Sequence, residues 1–194
     1  MITNPYAGGC AFIEEKYIPI AEARIPILDS GFNRSEKNIR IPPDAVDPTV
    51  KNFHWGDLVR GIYEAYDRGG FTAVLPDAAG NITEGPGFNV FVYYRGGLLT
   101  PEHGVLKGIT RQTIIDLANE QDIPVRLEMF DADVVMAAEE VFLTSTAGGV
   151  MPVTTVNGRT IGDGKPGKIT TLVQKRYWEA HDEGPWVTPV DYPA

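Results

Sequence analysis

The sequence predicts a mixed α/β (α+β) domain in which single helices interleave with antiparallel strands. Apolar residues recur at helical spacing over residues 55–66, and a pair of glycines closes this pattern. Short apolar runs at residues 71–75, 88–94 and 98–99 are separated by turn residues, which is typical of antiparallel hairpins. This order of elements does not match the regular strand–helix alternation of a doubly wound parallel sheet.

The first 47 residues are predicted to be less regular than the rest of the chain. Two short apolar runs on either side of a charged turn at residues 14–16 predict a hairpin, and a third strand is expected around residues 25–28. Residues 29–47 follow no pattern, and the prolines at their end disfavour regular structure. We therefore expect a linker in this region.

The second half of the chain continues the alternation of helices and strands. The predicted elements are a helix at residues 109–120, a strand at 123–127, a short helix at 132–137, strands at 140–144 and 150–156, and an amphipathic helix at 169–181. At 194 residues, with 43% hydrophobic residues, the chain is long enough for one domain with a substantial core.

Charge and composition narrow the classes of function. The net charge of -9 argues against nucleic acid or an anionic membrane as the main partner, since phosphates need a basic surface. No apolar run approaches 18 residues and no export signal is evident, so we expect a cytoplasmic protein. The single cysteine cannot form an internal disulfide, and the three histidines lack metal-ligand spacing, so no metal site is expected.

Two glycine-containing segments could bind an anion. Residues 104–110 open a predicted helix, whose N-terminus carries a partial positive charge, and residues 144–149 follow a predicted strand with two hydroxyl groups before a glycine pair. Helix caps and ordinary turns use the same residues, so each segment by itself is more often structural.

Four motifs taken together resemble a known family. Residues 47–57, 81–89, 104–111 and 144–152 are similar, in order and spacing, to the fold-type IV enzymes that use pyridoxal 5'-phosphate (PLP). The similarity runs from about Ile39 to the C-terminus. Within this family, the chain most resembles the (R)-selective amine transaminases. The segments that carry this resemblance are Lys-Asn-Phe-His-Trp-Gly-Asp-Leu and Thr-Ala-Gly-Gly-Val-Met-Pro.

The resemblance implies a role for each matching residue. Lys51 would be the catalytic residue and would hold PLP as a Schiff base, while Glu84 would pair with the pyridine nitrogen. Trp55 and Ala147 would border the substrate pocket. Leu106 would pack on the ring, and the other cofactor-binding residues, mainly at the phosphate, would be Gly108, Ile109, Thr110, Ser145 and Thr146.

The chemistry explains why these residue types are needed. A lysine amine can condense with the PLP aldehyde and, once displaced, can move a proton between substrate and cofactor. A carboxylate at the pyridine nitrogen favours its protonated form, which makes the ring a better electron sink. Outside such a family, Lys51 would be an ordinary surface lysine and Glu84 a polar loop residue. Lys107, Arg111 and Lys168 are expected to be solvated charges.

The sequence departs from the family near its N-terminus. The small N-terminal domain is almost absent, so we expect residues 1–38 to be its remnant and the join, and residues 39–194 to form the PLP-binding large domain. The small domain's phosphate-binding arginine is lost with it, and only Arg34 and Arg40 lie near the join. The face that the small domain would cover should be partly apolar, which predicts a homodimer or higher homo-oligomer.

Three functions stay open at this point. The first is a PLP-dependent transfer of an amino group from a small (R)-amine to a keto acid such as pyruvate. The second is a D-amino-acid or branched-chain transaminase, or a lyase, of the same family. The third is a non-catalytic PLP-binding core.

Overall fold

The computed structural model describes residues 10–13, 16–19, 32–182, 185, 187 and 188. In chain order its elements are β1 (Cys10–Ile13), β2 (Lys16–Pro19), β3 (Phe32–Arg34), α1 (Gly56–Asp67), β4 (Thr72–Val74), β5 (Asn89–Tyr94), β6 (Gly97–Thr100), α2 (Ile109–Glu120), β7 (Val125–Leu127), α3 (Ala132–Met136), β8 (Glu140–Ser145), β9 (Gly149–Val153), β10 (Thr155–Val156), β11 (Arg159–Thr160) and α4 (Lys168–Glu179). The helices and the strands β4 to β8 confirm the predicted pattern.

The strands of the described residues form one hairpin and two larger sheets. β1 and β2 pair antiparallel, as predicted. A four-stranded sheet has the order β11-β10-β3-β4, and a five-stranded sheet has the order β7-β6-β5-β8-β9. In the five-stranded sheet, β5 pairs antiparallel with β6 and β8, and only the β6–β7 pair is parallel. The predicted strand around residues 25–28 lies outside the described residues.

Three details of the predicted strands were wrong. β3 lies inside the predicted linker, and Phe32 is the only apolar residue of this strand; pairing with both β4 and β10 makes it a strand. The predicted strand at residues 150–156 is two strands in different sheets, divided at Thr154. β11 was not predicted, because its two residues are both exposed and polar.

The alternation of side chains along β5 and β8 creates two cores. Phe91 and Phe142 pair across these strands and stack with ring centroids 5.0 Å apart, on the face covered by α2 and α4. Val90 and Val92 point to the other face, where they pack with Phe32 of the four-stranded sheet. Both faces of the five-stranded sheet are therefore buried.

A third core places α1 on the outside of the four-stranded sheet. Leu58 and Ala65 of α1 pack on Ala73 and Leu75. Gly61 allows this close approach, since a Cβ atom there would lie 2.6 Å from Leu75 Cδ1. The layers are thus α1, the four-stranded sheet, the five-stranded sheet, and α2 with α4.

Within the described part of the chain, every helix is too short or too polar to cross a membrane. The cytoplasmic location stays a prediction.

Candidate active site

Lys51 lies on a loop that its own neighbours hold in shape. Asn52 donates from Nδ2 to the Val50 carbonyl and accepts from the His54 N–H, both at 2.8 Å. Among the described residues, no hydrogen bond or ion pair engages the Lys51 amine, which borders an open cleft. The loop then enters α1 at Trp55, which borders the same cleft.

A buried ion pair forms the base of this cleft. Arg40 donates from Nη2 and Nε to Glu84 Oε1, at 3.0 and 3.3 Å. The Leu106 N–H donates to Glu84 Oε2 at 2.9 Å, so both carboxylate oxygens are engaged. Arg40 Nη1 also donates to Asp57 Oδ2 at 2.7 Å, and the three side chains are only 7–8% exposed.

Burial and charge act against each other in this cluster. Removal from water is the largest influence on the Glu84 carboxyl and raises its pKa, whereas the Leu106 N–H and the Arg40 guanidinium oppose that rise. Burial alone would lower the pKa of Arg40, but Asp57 and Glu84 together raise it above its ordinary value. Arg40 therefore stays charged, and it is the cation that favours the ionised form of Glu84.

The N-terminus of α2 faces the cleft without a side-chain cap. Gly108 is the N-cap residue, so the cap position has no side chain that could accept a hydrogen bond from the first turn. Ile109 is 85% exposed, whereas Thr110 is buried. The first-turn N–H groups and the helix dipole can therefore bind an anion at this position.

The end of β8 supplies hydroxyl groups to the lining of the cleft. Ser145 Oγ accepts from the Gly148 N–H at 2.9 Å, which closes a turn over residues 145–148. Thr146 is exposed and borders the cleft. Thr144 also borders it and is 1% exposed, yet among the described residues its Oγ1 atom has no hydrogen-bond partner. A buried hydroxyl without a partner is uncommon and indicates a position where a bound group can supply one.

The cleft gathers nearly all of the residues predicted to form the site. The predicted residues that border it are Lys51, Trp55, Glu84, Leu106, Gly108, Ile109, Thr110, Ser145 and Thr146. Ala147 is exposed on the same turn but is not part of the lining. The individual roles assigned to these residues stay predictions.

Sequence reasoning missed three parts of this site and misjudged a fourth residue. Arg40 was noted only as lying near the join, just before a proline pair, and Asp57 only as the last residue of a motif; neither was given a role in the site. Thr144 was the first residue of one motif but was given no role. Arg111 is not solvated: it is 5% exposed, donates to Thr100 Oγ1 and the Pro101 carbonyl, and burial lowers its pKa.

Comparison with known proteins identifies the family. The family model of the class IV aminotransferases matches residues 17–156. The chain belongs to this family. The branched-chain-amino-acid aminotransferase of Pseudomonas aeruginosa is 34% identical to this class IV chain over an alignment of 174 residues, which covers 86% of the chain and 54% of that protein.

Solved structures give the same result for the fold of this class IV chain. The branched-chain amino acid aminotransferase of Thermobaculum terrenum in its PLP form has a TM-score of 0.75 and 29% identity; the match covers 78% of our chain and 50% of that one. The Escherichia coli enzyme has a TM-score of 0.72 and 31% identity, covering 79% and 53%. The predicted fold-type IV architecture is confirmed.

This class IV chain spans about half the length of the curated relatives it matches. The relatives named above are branched-chain enzymes. The predicted resemblance to the (R)-selective subgroup is therefore not confirmed.

Proposed function

We propose that this chain binds PLP in the cleft and uses it to transfer amino groups. The observation that carries the proposal is the meeting of three groups in one place: the free amine of Lys51, the buried Glu84 carboxylate and the uncapped N-terminus of α2. Each has the chemistry that a different part of PLP requires. The membership of the chain in the class IV family supports the same cofactor.

The residues of the cleft fit the cofactor at both ends. The first turn of α2, from Gly108, would bind the phosphate together with the hydroxyl groups of Ser145 and Thr146. Leu106 would pack on the ring, and Glu84 would meet the ring nitrogen. The unpartnered Thr144 hydroxyl would gain a hydrogen-bond partner in the filled cleft.

Amino transfer then needs a base and a nucleophile from the protein. PLP supplies an electron sink that lets a proton leave the amine-bearing carbon. The Lys51 amine would be the nucleophile that holds the cofactor and the base that moves a proton during amino transfer. Glu84 would favour the protonated form of the ring nitrogen.

The names of the relatives favour a branched-chain amino acid as the amino donor, with a 2-oxo acid as acceptor. The (R)-amine donor predicted from the sequence is the second candidate. One feature of the site favours it: the cationic side chains that border the cleft in the described structure are Arg40 and Lys51, and Arg40 is already bound to two carboxylates. An amine without a carboxylate needs no further cation.

Two further predictions carry over as proposals. We propose that residues 39–194 are the cofactor-binding domain and residues 1–38 the remnant of a smaller one. A site without the smaller domain loses walls that select the substrate and exclude water, so we expect slow turnover and broad donor specificity. Comparing kcat/KM for several donors with that of a full-length relative measures both effects.

We also propose that the chain self-associates. Val59, Tyr63 and Tyr66 form an exposed apolar stripe on α1, with Tyr63 64% exposed. In sedimentation velocity, Tyr63→Glu should shift the protein to a smaller species. Asn119→Glu adds the same charge at an exposed position of α2 and should leave the size of the species unchanged. A monomeric wild type contradicts the proposal.

One spectroscopic experiment tests the cofactor and the reaction in turn. PLP is added to the wild type, Lys51→Ala and the control Lys175→Ala, whose lysine is 72% exposed on α4. We expect a visible absorption band in the wild type and the control, and none in Lys51→Ala. A band in Lys51→Ala equal to that of the wild type contradicts the assigned role of Lys51.

Donors are then added singly to the loaded protein. Leucine or an (R)-amine that transfers its amino group should bleach the band, and a 2-oxo acid should restore it. Bleaching by leucine alone supports the branched-chain assignment, and bleaching by the (R)-amine alone supports the second candidate. A lysine-dependent band that no donor changes leaves the non-catalytic PLP-binding core.

A further inference from the structure

We propose that Arg40, held in place by Asp57, is a positioning residue that keeps Glu84 ionised and aimed at the ring nitrogen of the cofactor. The inference rests on the proposed binding of PLP. It assigns a function to a residue that lies outside the four motifs resembling the family.

Arg40 is fixed along its whole length. Its backbone N–H donates to the Pro76 carbonyl at 2.8 Å, and the N–H of the next residue, Ile41, donates to Asp57 Oδ2 at 2.8 Å. Its guanidinium then spans Asp57 and Glu84. A planar fork that engages two carboxylates leaves little freedom to either of them.

Glu84 depends on this contact for both orientation and charge. One oxygen is held by the Leu106 N–H and the other by Arg40, so the plane of the carboxylate is set from two sides. Without the guanidinium, the pKa of Glu84, which burial already raises above its ordinary value, would rise further, because burial and the neighbouring Asp57 charge both oppose ionisation. A protonated Glu84 could not stabilise a protonated ring nitrogen.

The charge of the cluster also indicates what it binds. One guanidinium and two carboxylates give the buried group a formal charge of -1. A buried uncompensated charge is unfavourable and is lowered in energy by a cation at hydrogen-bonding distance. Glu84 borders the cleft, so that cation would enter from the cleft side. A protonated ring nitrogen has the required charge.

The test compares PLP with its 1-deaza analogue, in which a carbon atom replaces the ring nitrogen. Dissociation constants for both are measured by fluorescence titration of the wild type, Arg40→Met and Glu84→Gln. We expect the wild type to prefer PLP by about tenfold or more, the factor of one hydrogen bond between charged groups. The preference of Arg40→Met for PLP should be much smaller, and it should equal the preference of Glu84→Gln within about threefold. A purely structural role would weaken both ligands equally.

Several outcomes would overturn the proposal. It fails if Arg40→Met keeps the wild-type preference, or if the wild type shows none. Should Arg40→Met not fold, Arg40→Lys takes its place: lysine keeps the charge but cannot engage both carboxylates as a fork, so an undiminished preference in that variant also overturns it. Failure of PLP binding itself would be seen separately, as the absence of the Lys51-dependent band in the wild type.

Discussion

Replacing Glu64 by glutamine tests how the irregular segment before the cleft is held. Glu64 lies on the buried face of α1, and its carboxylate accepts hydrogen bonds from both main-chain and side-chain donors of the segment that follows β3. These donors are Ser35 Oγ, the Glu36 and Lys37 N–H groups, and Asn38 Nδ2. Arg68 adds an ion pair at 3.2 Å. One carboxylate therefore organises four consecutive residues.

The cost of Glu64→Gln follows from the number of donors it leaves unmatched. A glutamine keeps one acceptor oxygen, which can serve the three donors at Oε2, but its amide nitrogen would then face the Glu36 N–H and the Arg68 guanidinium. Arg68 is 30% exposed and can turn to water, so one partly buried donor, the Glu36 N–H, loses its partner. Together with the lost charge, we expect the free energy of unfolding to fall by about 2–3 kcal/mol.

The loss of stability in Glu64→Gln should depend on pH in a defined direction. Desolvation is the largest influence on Glu64 and opposes ionisation, but the hydrogen bonds, led by that of Ser35, lower the pKa to about 2. The pKa of the folded state is thus below the value of about 4.3 for an unfolded chain. The stabilisation is therefore complete above the unfolded pKa and is lost as the pH falls toward 2.

Urea unfolding of the wild type and Glu64→Gln at several pH values measures this difference. Asp67→Asn, which removes the same charge from an exposed position on α1, is the matched control and should change stability by less than about 0.5 kcal/mol. The reasoning is refuted if the two variants lose equal stability at pH 7, or if the deficit of Glu64→Gln stays constant between pH 6 and pH 3.

Three further substitutions test the fold and the site. Gly108→Ala should weaken PLP binding about tenfold in a titration, because the new Cβ atom would lie 2.5 Å from Asn89 Oδ1 at the start of α2. Phe142→Ala removes a stacked core ring and should cost about 3–5 kcal/mol in urea unfolding, whereas Phe71→Ala, at 64% exposure, should cost under about 1 kcal/mol. Asp131→Ala removes the side-chain cap of α3 and should cost about 1 kcal/mol, measured in the same way.

The sequence predicted the long helices well because packing and periodicity agree in them. The helix at residues 109–120 was placed at its observed bounds, since Ile114, Leu117 and Ala118 repeat on the face that packs against the five-stranded sheet. The strands that failed are those with too little signal of their own. β3 has one apolar residue, Phe32, and its structure comes from neighbours that are distant in the chain.

The site was predictable only where a motif carried it. Lys51 and Glu84 come together because the loop before α1 and the connection after β4 end at one cleft, and the ordered motifs indicated this. Arg40 had no such signal. It stands just before a proline pair and therefore looked like a linker residue. Nothing in the sequence showed that its charge is buried between two carboxylates.

The two acidic residues of α1 explain how an irregular segment can support a site. Asp57 and Glu64 are seven residues apart, which places them two turns apart on one face of the helix. Glu64 binds residues 35–38, and Asp57 binds Arg40 and the N–H of Ile41. The helix thus replaces the hydrogen bonds that residues 35–41 do not find in regular structure. Because the same segment leads to Lys51, the position of the proposed nucleophile depends on side chains of a helix that follows it in the chain.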